Sequence, residues 1–406
     1  MLLVGYNGAN NTGAEAKLLV VMDEVRSVLG PEACITVPSL NEASLRRYLK
    51  EGPNLRIKSL RPALFFLDIR RLVKQNDLIL LVEGSCYMDT WGAALLWAYL
   101  LATRYAHAMK KPCLAYSVDA GTASRFDSWL IRREASKTDL ILSRTREACE
   151  RLEKWGVNAP IEVTADNAFS FAPDPADEGL LRRVWPEASS HVVGIAAEDI
   201  YKWPAVIRPW GKKEYCYRWP YYFTHNHESL DKSESLAVAL AAQADEMIEE
   251  YDRDVALLGM EGLDTIFAER IQHLMKHPDH TRIFSSLDYN ASQMTVVLRN
   301  LELLVTSRYH AGVLSLPAHV PQTAIGHDMR IKDFYTDLDI PEFFVDHNDP
   351  NRYATLRRNV ETLFSRPNGT SAKLRKGYEQ YFEREKRNPQ LLRAFLESHH
   401  PEWLNR

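Results

Sequence analysis

One feature constrains this chain more than any other. Short apolar runs alternate with stretches of helical spacing, first from Leu2 to Thr164 and again from Val192 to Ile325. In the first series Leu2–Tyr6, Leu78–Val82, Leu114–Val118, Leu140–Ser143 and Ile161–Thr164 read as buried strands. Glu15–Leu29, Ala93–Lys110 and Arg146–Trp155 read as helices, the first stopping at Gly30-Pro31 and the last at Gly156. In the second series Val192–Ala197, Val255–Leu258, Leu303–Thr306 and Thr323–Ile325 are the strands, and Leu236–Tyr251, Thr265–Lys276 and Ala291–Asn300 the helices. Strands separated by helices of this length predict parallel sheets covered on both faces. Between the series, Phe171-Ala-Pro-Asp-Pro-Ala-Asp-Glu-Gly179 breaks the rhythm with two prolines and three acids, as a linker does. The expected fold is therefore α/β: two doubly wound Rossmann-like domains, residues 1–180 and 188–346, facing a cleft. A charged helical tail, residues 347–406, follows them. No repeat of solenoid period is present. In doubly wound sheets, ligands bind beyond the carboxyl ends of the strands, so the strand exits hold the candidate sites.

Composition narrows the partners. Fifty Lys+Arg against 54 Asp+Glu give a net charge of −4, which argues against a nucleic-acid partner. A 46% hydrophobic and 26% charged chain is not disordered. Five scattered cysteines, Cys34, Cys86, Cys113, Cys149 and Cys216, fit a reducing compartment and offer no thiolate zinc site. Gly5 and Asn7 interrupt the apolar start too early for a signal peptide. The most apolar later stretch, Ala93–Ala102, is about half of the ~20 residues a membrane span needs. The expected location is cytoplasmic, with peripheral association at the inner face of the membrane left open. The Asn-x-Ser/Thr matches at Asn10, Asn290 and Asn368 are then chance.

Four strand exits can carry chemistry. The first is Gly5–Ala16, GYNGANNTGAEA, where Gly5, Gly8 and Gly13 permit tight turns and the following helix offers free N–H groups. It is neither a dinucleotide fingerprint nor a P-loop, and a ligand-free turn explains it equally well. The second is Glu83–Gly92, EGSCYMDTWG. Gly84-Ser85 makes a flexible exit; Glu83 and Asp89 can orient a hydroxyl or accept its proton, or Asp89 and Ser85 can cap a helix. The third, Thr306–Phe334, has Arg308 and His310 where a strand gives way to a helix, and Arg330 and Lys332 beyond the next strand. A guanidinium binds phosphate or carboxylate bidentately, and an imidazole moves protons near neutral pH. Taken alone, each is more often structural; together they point to a multiply charged anion. The fourth, Tyr201–His227, is aromatic and basic, with Trp203, Trp210 and Trp219, and suits either a sugar face or a self-buried cluster. His225-Asn-His227 has no matching ligand cluster, so no metal is expected.

In this order, the GAEA loop, the GS–D segment and SRYHAGVLSLPAHVPQTAIGHDMRIKDF resemble the polysaccharide pyruvyl transferases, as do AYSVDAG, LILSRTREACERL and TADNAF between them. The resemblance runs from Leu2 to about Asp346, and its SRYH block is the most specific part. It implies a glycosyltransferase-B-like architecture whose C-terminal helices pack back on the first domain. It also implies an activity: transfer of the enolpyruvyl unit of phosphoenolpyruvate onto two sugar hydroxyls as a ketal, with no cofactor. The acceptor would be a sugar or lipid-linked glycan, and a homo-oligomer is compatible. The implied catalytic residues are His310, Arg308, Asp89 and Glu15. The implied substrate-binding residues are Gly8, Asn11, Gly13, Gly84, Ser85, Ser307, Tyr309, Arg330, Lys332 and Trp203. The chain departs from the family pattern at Ala14, Glu83, Asp119 and Glu198-Asp199, mostly on the acceptor half or at anion contacts. A nucleotide-sugar glycosyltransferase and a non-catalytic sugar-binding homologue are the alternatives.

Overall fold

The computed structural model describes residues 1–404, without the side chains of Pro367 and Asn368; the Asn368 side chain and the last two tail residues thus lie outside the described residues. The first sheet contains β1 (Leu2–Val4), β2 (Ile35–Ser39), β3 (Leu55–Ser59), β4 (Ile79–Leu81), β5 (Cys113–Val118), β6 (Leu140–Ser143) and β7 (Ile161–Val163). All are parallel, in the order β3-β2-β1-β4-β5-β6-β7. The chain then forms β8 (Val192–Ala196) and a small antiparallel hairpin of β9 (Ala205–Ile207) and β10 (Tyr221–Phe223). The second sheet is completed by β11 (Asp254–Gly259), β12 (Thr281–Ser285), β13 (Leu304–Thr306), β14 (Gln322–Gly326) and β15 (Phe344–Asp346). Its order is β12-β11-β8-β13-β14-β15, again all parallel.

The alternation of side chains along each strand builds the layers. Leu2 and Val4 of β1, with Ile79 and Leu81 of β4, pack under helices Phe65–Gln75, Ala93–Ala108 and Arg125–Ala135. Leu3 and Leu80 point the other way, onto helix Thr12–Leu29. Both faces are covered, which is why these strands read as unbroken apolar runs. The strands that sequence periodicity misses are short or lie at edges. Edge strand β3 exposes Arg56 and Lys58, edge strand β12 begins with half-buried Thr281 and Arg282, and β2 is interrupted by Pro38.

The tail is shared between the lobes rather than packed on one. Helix Arg352–Ser365 lies against β14, helix Pro367–Glu385 meets the Asn167–Ser170 turn that follows β7, and the last helix, Arg387–His399, packs on helix Thr12–Leu29 of the first lobe. There Leu392, Phe395 and Leu396 join Leu18, Val21 and Val25 in one core.

Strand order reverses between β1 and β4 in the first sheet and between β8 and β13 in the second. Each reversal opens a crevice at the carboxyl edge, and the two crevices face each other.

Candidate active site

The loops that leave β1 and β4 on one side, and β8, β11, β13 and β14 on the other, enclose a pocket of about 60 Å³. A larger groove of about 1120 Å³ lies elsewhere, between helix Thr12–Leu29 and the tail, and contains none of the strand-exit cations. The strand-exit Arg308, His310 and Arg330 line the small pocket.

Asn11 begins the first wall. It caps helix Thr12–Leu29 by accepting from the Ala14 amide at 3.0 Å, while its Nδ2 donates to Glu261 Oε2 at 3.1 Å. The next amide, Thr12, donates to the Met260 carbonyl of the opposite lobe at 2.9 Å. This close seam explains Gly13, because any Cβ there would overlap the His310 ring. Gly84 serves the same purpose for a second cation, since a Cβ there would overlap the Arg144 guanidinium. The glycines of both loops thus admit protein side chains. Gly8 turns the first loop against Ser39 and Asn41.

His310, in helix Tyr309–Ser315, places Nε2 3.5 Å from Asp166 Oδ2. Asp166 is fully buried and also meets Lys17 at 3.8 Å and Arg144 by a shorter contact. Burial opposes its ionisation, but Lys17, Arg144 and the hydrogen bond from His310 outweigh that and hold it well below the usual carboxylate range. Burial lowers the His310 pKa, and Asp166 only partly restores it. The imidazole is therefore neutral near pH 7 and ready to accept a proton. Tyr309 packs its ring 4.3 Å beneath the Arg144 guanidinium and 5.8 Å from that of Arg330.

Arg308 is heavily partnered. Its Nε donates to Asp264 at 2.8 Å, Nη1 meets Glu198 at 2.8 Å, and Nη2 meets Glu261 at 3.4 Å and Asp264 more closely. Burial, reinforced by Asp264, Asp328 and Glu261, pushes Glu198 up to about 8 despite Arg308. Asp264 rises to about 6, again chiefly through burial. Glu198 is thus protonated at neutral pH. Arg330 pairs with Asp328 at 2.6 Å and lies 5.3 Å over the Trp91 ring. Glu83 lines the first-lobe wall with no ion pair among the described residues; it accepts only long hydrogen bonds, from Tyr6 N at 3.3 Å and from Ser85 N and Oγ at 3.4 Å. Tyr6 Oη bonds Glu261 and Tyr217, each at 3.0 Å. Trp203 closes the pocket edge-on to Trp91, with ring centroids 4.9 Å apart.

Of the residues expected from the sequence, Arg308, His310, Tyr309, Arg330, Asn11, Gly13, Ser85 and Trp203 line this pocket, with Gly84 directly behind it. Four do not. Asp89 accepts from the Ser124 amide at 2.7 Å, tying down the loop before helix Arg125–Ala135. Glu15 lies on the buried side of its helix, 3.7 Å from Arg47. Ser307 supports the β8 exit by accepting from the Glu198 amide at 2.8 Å, and Lys332 is exposed. The residues that strand-exit logic missed are Glu261, which lines the pocket, and Asp166, Arg144 and Asp264, which are buried behind it. Asp166 and Arg144 lie in the TADNAF and LILSRTREACERL segments, but nothing local marks them as partners of His310. Among the described residues no cluster has metal-holding geometry.

Comparison with solved structures places the whole chain on a known architecture. UDP-GlcNAc 2-epimerase from Neisseria meningitidis bound to UDP-GlcNAc superposes with TM-score 0.65 at 11% identity, over 98% of this chain and 100% of that one. A UDP-N-acetylglucosamine 2-epimerase from Listeria monocytogenes gives 0.63 at 12% identity, over 99% and 96%. Anabaena HepE in complex with UDP and glucose gives 0.59 at 13%, over 98% and 100%. At this identity the likeness establishes the glycosyltransferase-B-like fold alone. No curated protein matches the chain by sequence. The family model for polysaccharide pyruvyl transferases matches residues 11–329, from the capped helix of the first loop to the helix that carries Arg330, and the chain therefore belongs to the polysaccharide pyruvyl transferase family of transferases.

Proposed function

We propose that this cleft transfers the enolpyruvyl group of phosphoenolpyruvate to two hydroxyls of one sugar, forming a pyruvate ketal and free phosphate. The observation that carries the proposal is the placement of a neutral, Asp166-backed imidazole beside two guanidiniums, Arg308 and Arg330, in a pocket shared by two lobes. Arg330 is suited to the carboxylate or phosphate, with the buried charge of Arg144 behind Gly84 adding to the field. Glu83 faces Arg330 from the first lobe and suits the acceptor hydroxyls.

The atoms balance without an external acid. One hydroxyl oxygen bonds to C2 of the donor, the bond from C2 to the phosphate oxygen breaks, and the second hydroxyl oxygen closes the ring on C2. Of the two hydroxyl protons, one ends on C3, making the methyl group, and one leaves on the phosphate. Neutral His310 accepts the first and returns it to C3. A positioned acid–base contributes about 10²–10⁴-fold.

The caged Arg308 sets a condition on the donor. Glu261 and Asp264 already pair with it, and Glu198 adds a third negative charge once ionised, so an anion is held less well as Glu198 loses its proton. The small pocket volume means that the lobes or the β9–β10 hairpin part to admit substrate.

A second donor class is favoured by one observation: the Neisseria and Anabaena structures of this fold hold UDP-sugar or UDP. A thermal-shift panel separates the two. A donor at about 100 times its Kd stabilises the folded chain by about 2.7 kcal/mol. The proposal expects that shift with phosphoenolpyruvate and none with UDP-sugars; the reverse pattern refutes it.

A further inference from the structure

The outer surface of the cleft mouth differs from the rest of the molecule. Twelve large hydrophobic side chains are exposed among the described residues, and eight of them fall in three segments. These are Leu64, Phe66 and Leu67; Phe126 and Trp129; and Ile207, Trp210 and Trp219, with Trp210 75% exposed and Phe126 59%. Scattered exposed apolar residues are ordinary, but a contiguous set marks a contact surface.

The three segments are neighbours. Helices Phe65–Gln75 and Arg125–Ala135 both start at the carboxyl edge of the first sheet, after β3 and β5. Helix Ala93–Ala108 packs between them, and its Trp97 Nε1 donates to Asp127 at 2.8 Å. The β9–β10 hairpin lies across their ends, with Tyr221 Oη donating to the Pro62 carbonyl at 2.8 Å and the Ala205 amide to the Trp91 carbonyl at 3.3 Å. The same hairpin segment turns Trp203 and Tyr217 inward to the pocket. Its outward side therefore forms the rim of the site.

That rim is cationic. Residues 61–68, 125–129 and 202–219, the parts of these segments at the cleft mouth, hold seven Lys and Arg against three acids, an excess of four positive charges in a chain whose total is −4. The three acids, Asp68, Asp127 and Glu214, are turned inward. What faces solvent is Arg and Lys interleaved with Trp, Phe and Leu, as in proteins that rest at a bilayer interface. No described helix is long and apolar enough to cross a membrane, so the contact is peripheral.

Charge separates the candidate occupants. A second copy docking through this face would bring the same positive excess against itself. A soluble polyanion would satisfy the cations but leave the tryptophans in water. An anionic bilayer satisfies both.

We propose that this rim seats the mouth of the cleft on an anionic membrane surface, a contact that does not depend on the transferase reading above.

The test uses the full chain and vesicles, without turnover. Vesicles of phosphatidylcholine mixed with phosphatidylglycerol are expected to co-sediment the protein, pure phosphatidylcholine vesicles are not, and added salt should release it. The double variant Lys212→Ala/Lys213→Ala should bind about 30-fold more weakly. Trp210→Ser/Trp219→Ser should bind on the order of tenfold more weakly and lose the blue shift of tryptophan fluorescence on vesicles. All four side chains lie outside the pocket lining, so circular dichroism and thermal melting should match wild type. Failure to bind mixed vesicles overturns the membrane contact, as does binding that neither variant weakens. Equal retention on a soluble polyanion with no contribution from Trp210 and Trp219 also overturns it. So does a dimer, seen by sedimentation, that the tryptophan variant dissolves.

Discussion

Gly13→Ala tests the seam between the lobes most sharply. An alanine Cβ at this position would stand 2.5 Å from the His310 Cβ and closer still to its ring. Ordinary carbon–carbon contact is ~3.5 Å, so the imidazole must retreat by about 1 Å. It has no slack behind it, because Asp166 Oδ2 stands 3.5 Å from Nε2 and is itself fixed by Lys17 and Arg144. Overpacking of this kind costs about 1–3 kcal/mol in stability. Misplacing a catalytic group by about 1 Å costs on the order of 10²-fold in rate. The assay is phosphate release under saturating donor, with melting followed in parallel. The decisive comparison is a double-mutant cycle with His310→Ala. Without the ring the new methyl group has space, so Gly13→Ala should add little to either rate or stability in that background. An equal loss with and without the imidazole would show that the glycine serves the backbone alone and would refute the argument.

Other consequences can be measured separately. Asp166 raises the His310 pKa, so Asp166→Asn should move the acidic limb of the kcat/KM profile to lower pH; it should also cost about 3–5 kcal/mol, because buried Lys17 and Arg144 lose a shared partner. Glu198 titrates at about 8 and adds a third negative charge beside Arg308 once ionised, so the KM for phosphoenolpyruvate should rise above pH 8 in wild type and stay level in Glu198→Gln. Burial lifts Glu15 from 4.5 to about 8, so the folded state holds a proton there that the unfolded chain has already lost. Stability should therefore fall as pH climbs from 4.5 to 8 and level off above, and Glu15→Gln should remove a slope worth on the order of 5 kcal/mol, read by denaturant unfolding across that range.

The sequence makes the frame of this site legible and hides its wiring. Arg308 and His310 could be placed because a buried run ends at Thr306 and a helical period starts beside it, and both signals are local. The first loop is legible for the same reason. The partners are not, because they come from other strands. Asp166 follows β7, Glu198 follows β8, and Glu261 and Asp264 follow β11; nothing in a one-dimensional pattern says that the last three converge on one guanidinium. Position at a strand exit also proves too coarse. Asp89 sits at the correct edge but spends its carboxylate on the Ser124 amide, and Glu15 is one residue past Ala14 on the helix and faces Arg47 instead of the pocket. Gly13 and Gly84 invite a phosphate-cradle interpretation, yet the close approach each permits is to a side chain of the protein itself.

The most direct test of the whole account is stoichiometry. The chain is incubated with phosphoenolpyruvate and a panel of lipid-linked and free glycans, and phosphate release is counted beside the mass of the product. The account predicts one phosphate per glycan that gains the mass of pyruvate less water, with both losses shared by His310→Ala. Turnover of a nucleotide sugar instead, or phosphate released with no ketal formed, would contradict it.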